Sequence, residues 1–126
     1  MDRVELKERL ELLLPAGVIS EKAADITTRA FENLASIMNK TDILQSEMLF
    51  THLPSALTRL EKGEKIEGPP EAFLDEVKEA GFMDLVEKEI NFIEKEFEMI
   101  LPIEEKNYLL LHYTSVFQQN LIGTKA

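Results

Sequence analysis

The chain contains only two histidines, and each lies seven positions from a charged residue. His52 precedes Arg59, and Glu105 precedes His112. Positions seven apart in an α-helix return to nearly the same face, about 10 Å apart along the axis. Each histidine is therefore predicted to share one helix stripe with its charged neighbour. An imidazole can accept a phosphoryl group, bind a metal or act as a base in hydrolysis, so these three chemistries compete.

Metal binding and hydrolysis lack the residues that they require. The chain has neither the Glu-x-x-His pair of the carboxylate di-iron bundles nor a His-Glu-x-x-His helix, so no metal site is predicted. Ser55 and Ser115 follow the histidines by three residues, but without a turn motif that would expose a nucleophile. We therefore predict no catalytic residue, no cofactor and no enzymatic activity. Phosphoryl transfer to a histidine remains, beside the simpler interpretation that both histidines only pack.

The composition indicates one ordinary globular domain. The 126 residues are 44% hydrophobic and 30% charged, a mixture that is typical of a folded protein. The absence of cysteine excludes disulfides and thiolate sites. The charges in "MDRVELKERL" argue against a signal peptide, and no apolar run approaches the roughly 20 residues that span a bilayer. A cytoplasmic location without membrane contact is expected.

The negative charge is concentrated in one part of the sequence. The segment from Glu61 to Glu105 has 15 acidic and 5 basic residues, a net charge of −10, whereas the rest of the chain is neutral. Such a surface repels phosphate backbones and lacks the clustered Lys and Arg of nucleic-acid-binding proteins. If the protein regulates genes, it is not expected to touch nucleic acid directly.

Helical periodicity recurs throughout, and no segment alternates as a strand does. Capping residues, prolines and glycines set the predicted limits of six helices. These are Asp2 to Leu14, Ser20 to Asn39, Thr41 or Asp42 to about Lys62, Pro69 or Pro70 to near Gly81, Phe82 to Ile100, and Ile103 to about Gln119.

The third predicted helix carries the first histidine. Its predicted core positions are Phe50, Leu53, Leu57 and Leu60. His52 then lies on the flank with Ala56 and Arg59, where a partner can reach it. Pro54 lacks the N–H group that would bond the carbonyl of Phe50, so it is predicted to kink the helix near His52.

Two motifs together resemble the PRD family, the phosphotransferase-system regulation domain of bacterial antiterminators and activators. The first is His-Leu-x-x-Ala-Leu-x-Arg at His52 to Arg59, and the second is "EEKNYLLLHY" at Glu104 to Tyr113. In that family a histidine precedes an arginine by seven residues, and further along the chain a glutamate precedes a second histidine by seven. The resemblance covers Ser20 to Gln119, but Thr51 stands where family members commonly carry an acid.

The resemblance implies an all-α fold, a compact bundle of about five to six helices in a stand-alone single-domain member. It implies a short N-terminal helix and turn at residues 1–19, the bundle at 20–120 and a tail at 121–126. His52 and His112 become the candidate phosphoacceptors, and Arg59 and Glu105 their polar neighbours. The implied phosphodonor is the phosphocarrier protein or a sugar-specific enzyme II component.

The implied function is a regulatory module that responds to the sugar phosphotransferase system through histidine phosphorylation. Its output would pass to a transcription-regulating partner. The alternative is a helical interaction or dimerisation module in which both histidines are structural and never modified. Both interpretations include a homodimer, because the wide apolar faces from Tyr108 to Phe117 exceed what a small bundle covers.

Overall fold

The computed structural model describes residues 1–122, and these residues form helices and their connections without any strand. The predicted all-α class is therefore confirmed. The helices are α1 (Arg3–Leu13), α2 (Glu21–Met38), α3 (Glu47–Glu61), α4 (Glu71–Glu79), α5 (Met83–Phe97) and α6 (Ile103–Phe117), followed by a π-helical segment, Gln118–Ile122.

Contacts divide the chain into two units, Met1–Lys65 and the residues from Ile66 onward. The first contains α1 to α3 and the second contains α4 to α6. The predicted boundaries at residues 19 and 120 stay a prediction, and residues 123–126 of the predicted tail lie outside the described residues.

In the first unit, α2 lies against both α1 and α3. The rings of Phe31 on α2 and Phe50 on α3 meet edge to face, with centroids 5.0 Å apart, and both side chains are fully buried. The start of α2 agrees with the sequence, because the Ser20 side chain accepts a hydrogen bond from the Ala23 N–H at 3.0 Å. An edge-to-face aromatic pair adds about 0.5–1.5 kcal/mol to the stability that burial provides.

The chain start is fixed to the segment that precedes α3. The Met1 ammonium donates to the Ile43 carbonyl at 2.7 Å, and the Ile43 N–H donates to the Met1 carbonyl at 2.8 Å. The same ammonium lies 3.0 Å from the Asp42 carboxylate and 3.4 Å from that of Glu47. These contacts hold α1 close to the beginning of α3.

These contacts explain why the predicted start of α3 is wrong. The helix begins at Glu47 after Ser46, not at Thr41 or Asp42. Asp42 binds the Met1 ammonium instead of capping a helix, and Gln45 has a left-handed φ of 53°, which interrupts helical geometry. Pairing across more than 40 residues of sequence therefore overrides a local capping signal.

In the second unit, α6 packs against α4 and α5. The rings of Phe82 and Phe117 stack with centroids 5.9 Å apart, and Phe117 also lies 6.3 Å from Tyr113. The predicted beginnings of α4 and α6 beside prolines agree with the structure, since Pro70 and Pro102 are their N-caps.

The fifth helix ends three residues earlier than predicted. It ends at Phe97, because Glu98 adopts a left-handed φ of 58° at the C-cap. Ile100, predicted to continue the apolar stripe of this helix, is instead an exposed residue of the α5–α6 connection. A glutamate gives no sequence signal for a left-handed turn, which glycine or asparagine usually provides.

Candidate functional site

His52 and Arg59 both lie on α3, two turns apart, as their spacing predicts. The His52 side chain is half-buried and the Arg59 side chain is exposed. One guanidinium nitrogen of Arg59 reaches the Lys65 carbonyl at 3.5 Å, which is at the outer limit of a hydrogen bond. Most of the arginine's donor capacity therefore faces solvent beside the histidine-bearing helix.

The core stripe of α3 differs from the predicted one at two positions. Phe50, Leu53 and Leu57 are fully buried as predicted, but Leu60 is only half-buried and Ala56 is buried. Ala56 belongs to the core because it lies three residues after Leu53, on the same helix face. His52 consequently lies at the edge of the buried stripe, on the flank of the helix as predicted. Ala56, its predicted neighbour on that flank, faces the core instead.

Pro54 lies inside α3, which continues through it from Glu47 to Glu61. Its carbonyl accepts a hydrogen bond from the Thr58 hydroxyl at 2.8 Å. The Thr58 oxygen in turn accepts from the Ser20 N–H at 3.0 Å, so this segment of α3 is tied to the beginning of α2. The kink predicted from Pro54 stays a prediction.

Arg9 is a residue of this region that the sequence did not reveal. Its Nη1 atom donates to the Thr51 hydroxyl at 2.5 Å and lies 3.4 Å from the Glu47 carbonyl. Because Thr51 directly precedes His52, the guanidinium of Arg9 is held at the residue next to the imidazole. The contact joins residues 42 positions apart, so no local spacing rule could have found it.

Glu105 and His112 both lie on α6 in the second unit, also two turns apart. The Glu105 side chain has 0% of its surface exposed, whereas His112 is half-buried. The His112 ring stacks on Tyr108 one turn earlier, with centroids 6.1 Å apart and ring planes 11° from parallel. The second motif therefore combines an enclosed carboxylate with an imidazole held beside an aromatic ring.

The second unit also buries polar groups that the sequence analysis did not single out. Glu89, one of the acids of the strongly negative segment from Glu61 to Glu105, is 1% exposed. Burial raises the pKa of the Tyr113 hydroxyl well above its ordinary value of 10.0, and the negative charge of Glu89 adds to this effect. The hydroxyls of Tyr113 and Thr114 are buried without a hydrogen-bond partner among the described residues.

Residues 1–122 contain neither a cluster of metal-ligating side chains nor a helix suited to a membrane. Within this range, no three or more His, Asp or Glu side chains are arranged to hold a metal ion. Over the same residues, no helix has both the length and the apolar character needed to cross a membrane.

The structure defines an all-α protein with one histidine-bearing stripe in each unit. A model of the PRD domain family matches residues 24–116, which is more than half of the chain and includes both motifs. The chain therefore belongs to the PRD domain family, a family of regulatory and not catalytic domains that is linked to the sugar phosphotransferase system. Helix α1 and its Arg9 lie outside the matched residues. Comparisons with curated proteins and with solved structures gave no significant match.

Proposed function

We propose that the protein is a regulatory module that receives phosphoryl groups on His52 and His112. The donor is the phosphocarrier protein or an enzyme II component of the sugar phosphotransferase system. The phosphorylation state is then passed to a transcription-regulating partner. The observation that carries this proposal is the family match over residues 24–116, which includes both correctly spaced pairs.

The surroundings of His52 support its role as an acceptor. A half-buried imidazole at the edge of the core can be held in position and still be reached by a donor protein. A phosphoryl group adds about −1.5 to −2 charges, and arginine is the side chain best suited to meet it with paired hydrogen bonds. Arg59 is exposed on the same helix stripe, and Arg9 is bound to the preceding residue, Thr51.

The transfer itself requires little machinery from the acceptor. A neutral imidazole nitrogen attacks the phosphorus atom of the phosphorylated donor, and a nitrogen–phosphorus bond forms. The bond between phosphorus and the donor atom breaks, and its electron pair returns to the donor. The acceptor must supply a neutral imidazole nitrogen and cations for the incoming charge, and Arg59 and Arg9 are the cations near His52.

The alternative function is that of a helical interaction or dimerisation module with structural histidines. The stacking of His112 on Tyr108 favours this interpretation for the second histidine, because such a ring is part of the packing of α6. The two functions differ in one measurable respect, which is the covalent state of the histidines after exposure to an active phosphotransferase system.

The decisive experiment incubates the purified protein with phosphoenolpyruvate and the general phosphotransferase proteins, followed by intact mass measurement. We expect a mass increase of one or two phosphoryl groups that is lost on acid treatment. The label is expected to disappear when His52 and His112 are both replaced by Ala. Arg59→Gln and Arg9→Gln variants are each expected to lower the label on His52, because each removes a cation from its surroundings.

The control is Arg29→Gln, which removes an arginine from α2, outside the sequence of both motifs. No mass increase with any donor component would favour the alternative function. Label that survives in the double histidine variant would exclude phosphohistidine as the modification.

Homodimerisation is also part of the proposed function. Sedimentation of the unmodified and phosphorylated forms over a concentration series measures the two dissociation constants. We expect phosphorylation to change the constant by roughly 5- to 150-fold, the usual range of an allosteric coupling. A strict monomer in both forms would exclude the dimer, and identical constants would restrict the signal to the docking of another protein.

A further inference from the structure

The connection between α5 and α6 exposes an apolar cluster that neither histidine motif involves. Met99, Ile100 and Ile103 have 43%, 78% and 61% of their surfaces exposed. They lie within five consecutive positions, while Leu101 between them is 2% exposed. We call Met99, Ile100 and Ile103 the apolar tip. Clustered exposed apolar residues with a polar rim are typical of protein interaction sites, whereas scattered ones are not.

The apolar tip is held by the structure and is not a loose loop. The Glu94 carboxylate accepts a hydrogen bond from the Leu101 N–H at 2.7 Å and lies 3.5 Å from the Lys106 ammonium. The Met99 N–H also bonds to the Glu94 carbonyl at 3.3 Å, which ends α5. A connection bonded to both flanking helices loses little conformational entropy when a partner binds, so its apolar side chains can contribute most of their burial energy to affinity.

Acidic side chains surround the apolar tip. Glu98 and Glu104 flank it in sequence, and Glu98 is exposed. Gly68 approaches the beginning of α6 so closely that an added Cβ would lie 3.4 Å from the Glu104 Cα, which places the exposed Glu67 beside the same end of the helix. Lys95 is the exposed base nearest in sequence, since Lys106 is bound to Glu94.

The second unit as a whole is negatively charged, like the surroundings of the apolar tip. The sequence from Ile66 to Ala126 contains 13 acidic and five basic residues, a net charge of −8, whereas Met1 to Lys65 has 11 and nine, a net charge of −2. A surface of this kind attracts partners with a complementary positive field and repels anionic lipid and the same acidic surface of another molecule.

We propose that the apolar tip is the docking site for a different protein whose binding surface has an apolar centre and a rim of Lys and Arg. The apolar centre would cover Met99, Ile100 and Ile103, and the basic rim would meet Glu67, Glu98 and Glu104. This inference does not require phosphorylation of either histidine, so it stands independently of the proposed function.

The test uses a photoreactive p-benzoylphenylalanine at position 100, in the full chain and in the cells that produce it. The matched control places the same group at position 12, because Leu12 is 77% exposed and Ile100 is 78% exposed. Proteins cross-linked from position 100 but not from position 12 are identified by mass spectrometry, purified, and titrated with the unmodified chain. The expected partner has a basic, apolar-centred surface.

Substitutions then measure what the surface contributes. Ile100→Ser is expected to raise the dissociation constant by about tenfold or more, as for a buried interface anchor, while Leu12→Ser leaves it unchanged. Glu98→Lys and Glu104→Lys are each expected to weaken binding, and added salt should weaken the unmodified complex. Circular dichroism of each variant checks that the helices are intact.

Four results would overturn the inference. These are the absence of any cross-linked species specific to position 100, cross-links only to a second copy of the chain, cross-links only to lipid, and a protein partner whose affinity does not respond to the charge reversals and to salt. Each would mean that the acidic rim does not select a basic protein surface.

Discussion

The two histidine motifs share their spacing but not their surroundings. His52 lies in a unit of net charge −2, with Arg59 exposed along the same stripe and Arg9 bound at the preceding residue. His112 lies in a unit of net charge −8, beside the ring of Tyr108 and two turns from the fully buried Glu105. Two pairs with the same seven-residue spacing can therefore have different chemical surroundings. One histidine has two arginine side chains in its surroundings, and the other packs against an aromatic ring of its own helix.

The largest expected effect concerns the charged partners in the two motifs. Glu105→Ala is expected to lower the free energy of unfolding by about 2–4 kcal/mol, because it creates a cavity and leaves the groups around a buried carboxylate without their partner. Arg59→Ala should change it by no more than about 0.5 kcal/mol, as is usual for an exposed side chain. Urea unfolding followed by circular dichroism measures both values.

The neighbouring Glu104 supplies the control for this prediction. Glu104 precedes Glu105 on α6 but is half-exposed, so Glu104→Ala should cost far less than Glu105→Ala. Similar costs for Glu105→Ala and Arg59→Ala would mean that the two motifs do not differ in structural importance.

The second prediction compares the two acceptors directly. We expect His52→Ala to remove about five times more phosphoryl label than His112→Ala, since charge-assisted hydrogen bonds from arginine favour the phosphorylated form of His52. At His112, the net charge of −8 of the second unit disfavours an added negative charge. Phosphopeptide mapping at neutral pH, on each single variant, gives the two occupancies. Equal occupancies, or a majority on His112, would contradict the comparison.

The third prediction tests the internal polarity of the second unit. The Tyr113 hydroxyl is buried without a hydrogen-bond partner among residues 1–122, so Tyr113→Phe removes a desolvated group and keeps the ring. We expect a gain in stability of up to about 1 kcal/mol. Tyr108→Phe serves as the matched control on the same helix and should not give this gain. A loss of stability in Tyr113→Phe would show that the hydroxyl has a partner in solution.

The smallest expected effect is a pH dependence in the first unit. Burial alone lowers the pKa of the Met1 ammonium, but the hydrogen bond with Asp42 and the charges of Glu47 and Asp42 outweigh it, so the pKa lies above 8.0. A raised pKa means that this stabilisation is complete below pH 8.0 and is lost as the pH rises through the folded-state value.

Glu47 gives the opposite dependence of stability on pH. A hydrogen bond from its own backbone N–H, aided by the Met1 ammonium and opposed by burial, holds its pKa below 4.5. Its contribution is therefore complete above pH 4.5 and is lost as the pH falls through the folded-state value. Urea unfolding at acidic, neutral and alkaline pH should show both losses, and Glu47→Gln should reduce both. Unchanged slopes in this variant would contradict the assignment.

The sequence predicted the helices where local chemistry determines them. Ser20 caps α2, and Pro70 and Pro102 precede α4 and α6, because these residues favour helix starts wherever they occur. The end of α5 could not be predicted, since it depends on the left-handed geometry of Glu98, a residue type that gives no sequence signal for such a turn.

The candidate site was predictable along each helix but not across helices. Periodicity placed His52 with Arg59, and Glu105 with His112, because residues on one helix obey one fixed geometry. Arg9 was missed because its contact with Thr51 depends on how α1 packs against α3. Glu89 was missed because acids are assigned to solvent by default, and only the packing of α5 reveals a buried one.

The position of the tyrosines restricts the intrinsic fluorescence of the chain to the second unit. There is no tryptophan, and both tyrosines lie on α6, Tyr113 fully buried and Tyr108 against the His112 ring. Near-ultraviolet fluorescence therefore originates almost entirely from the second unit, and an unfolding curve recorded this way does not detect the loss of α1, α2 and α3. The same placement helps to assign a change in tyrosine emission to one of the two histidines. A change at His112 alters the emission of the Tyr108 ring beside it, whereas the unit that contains His52 has no tyrosine.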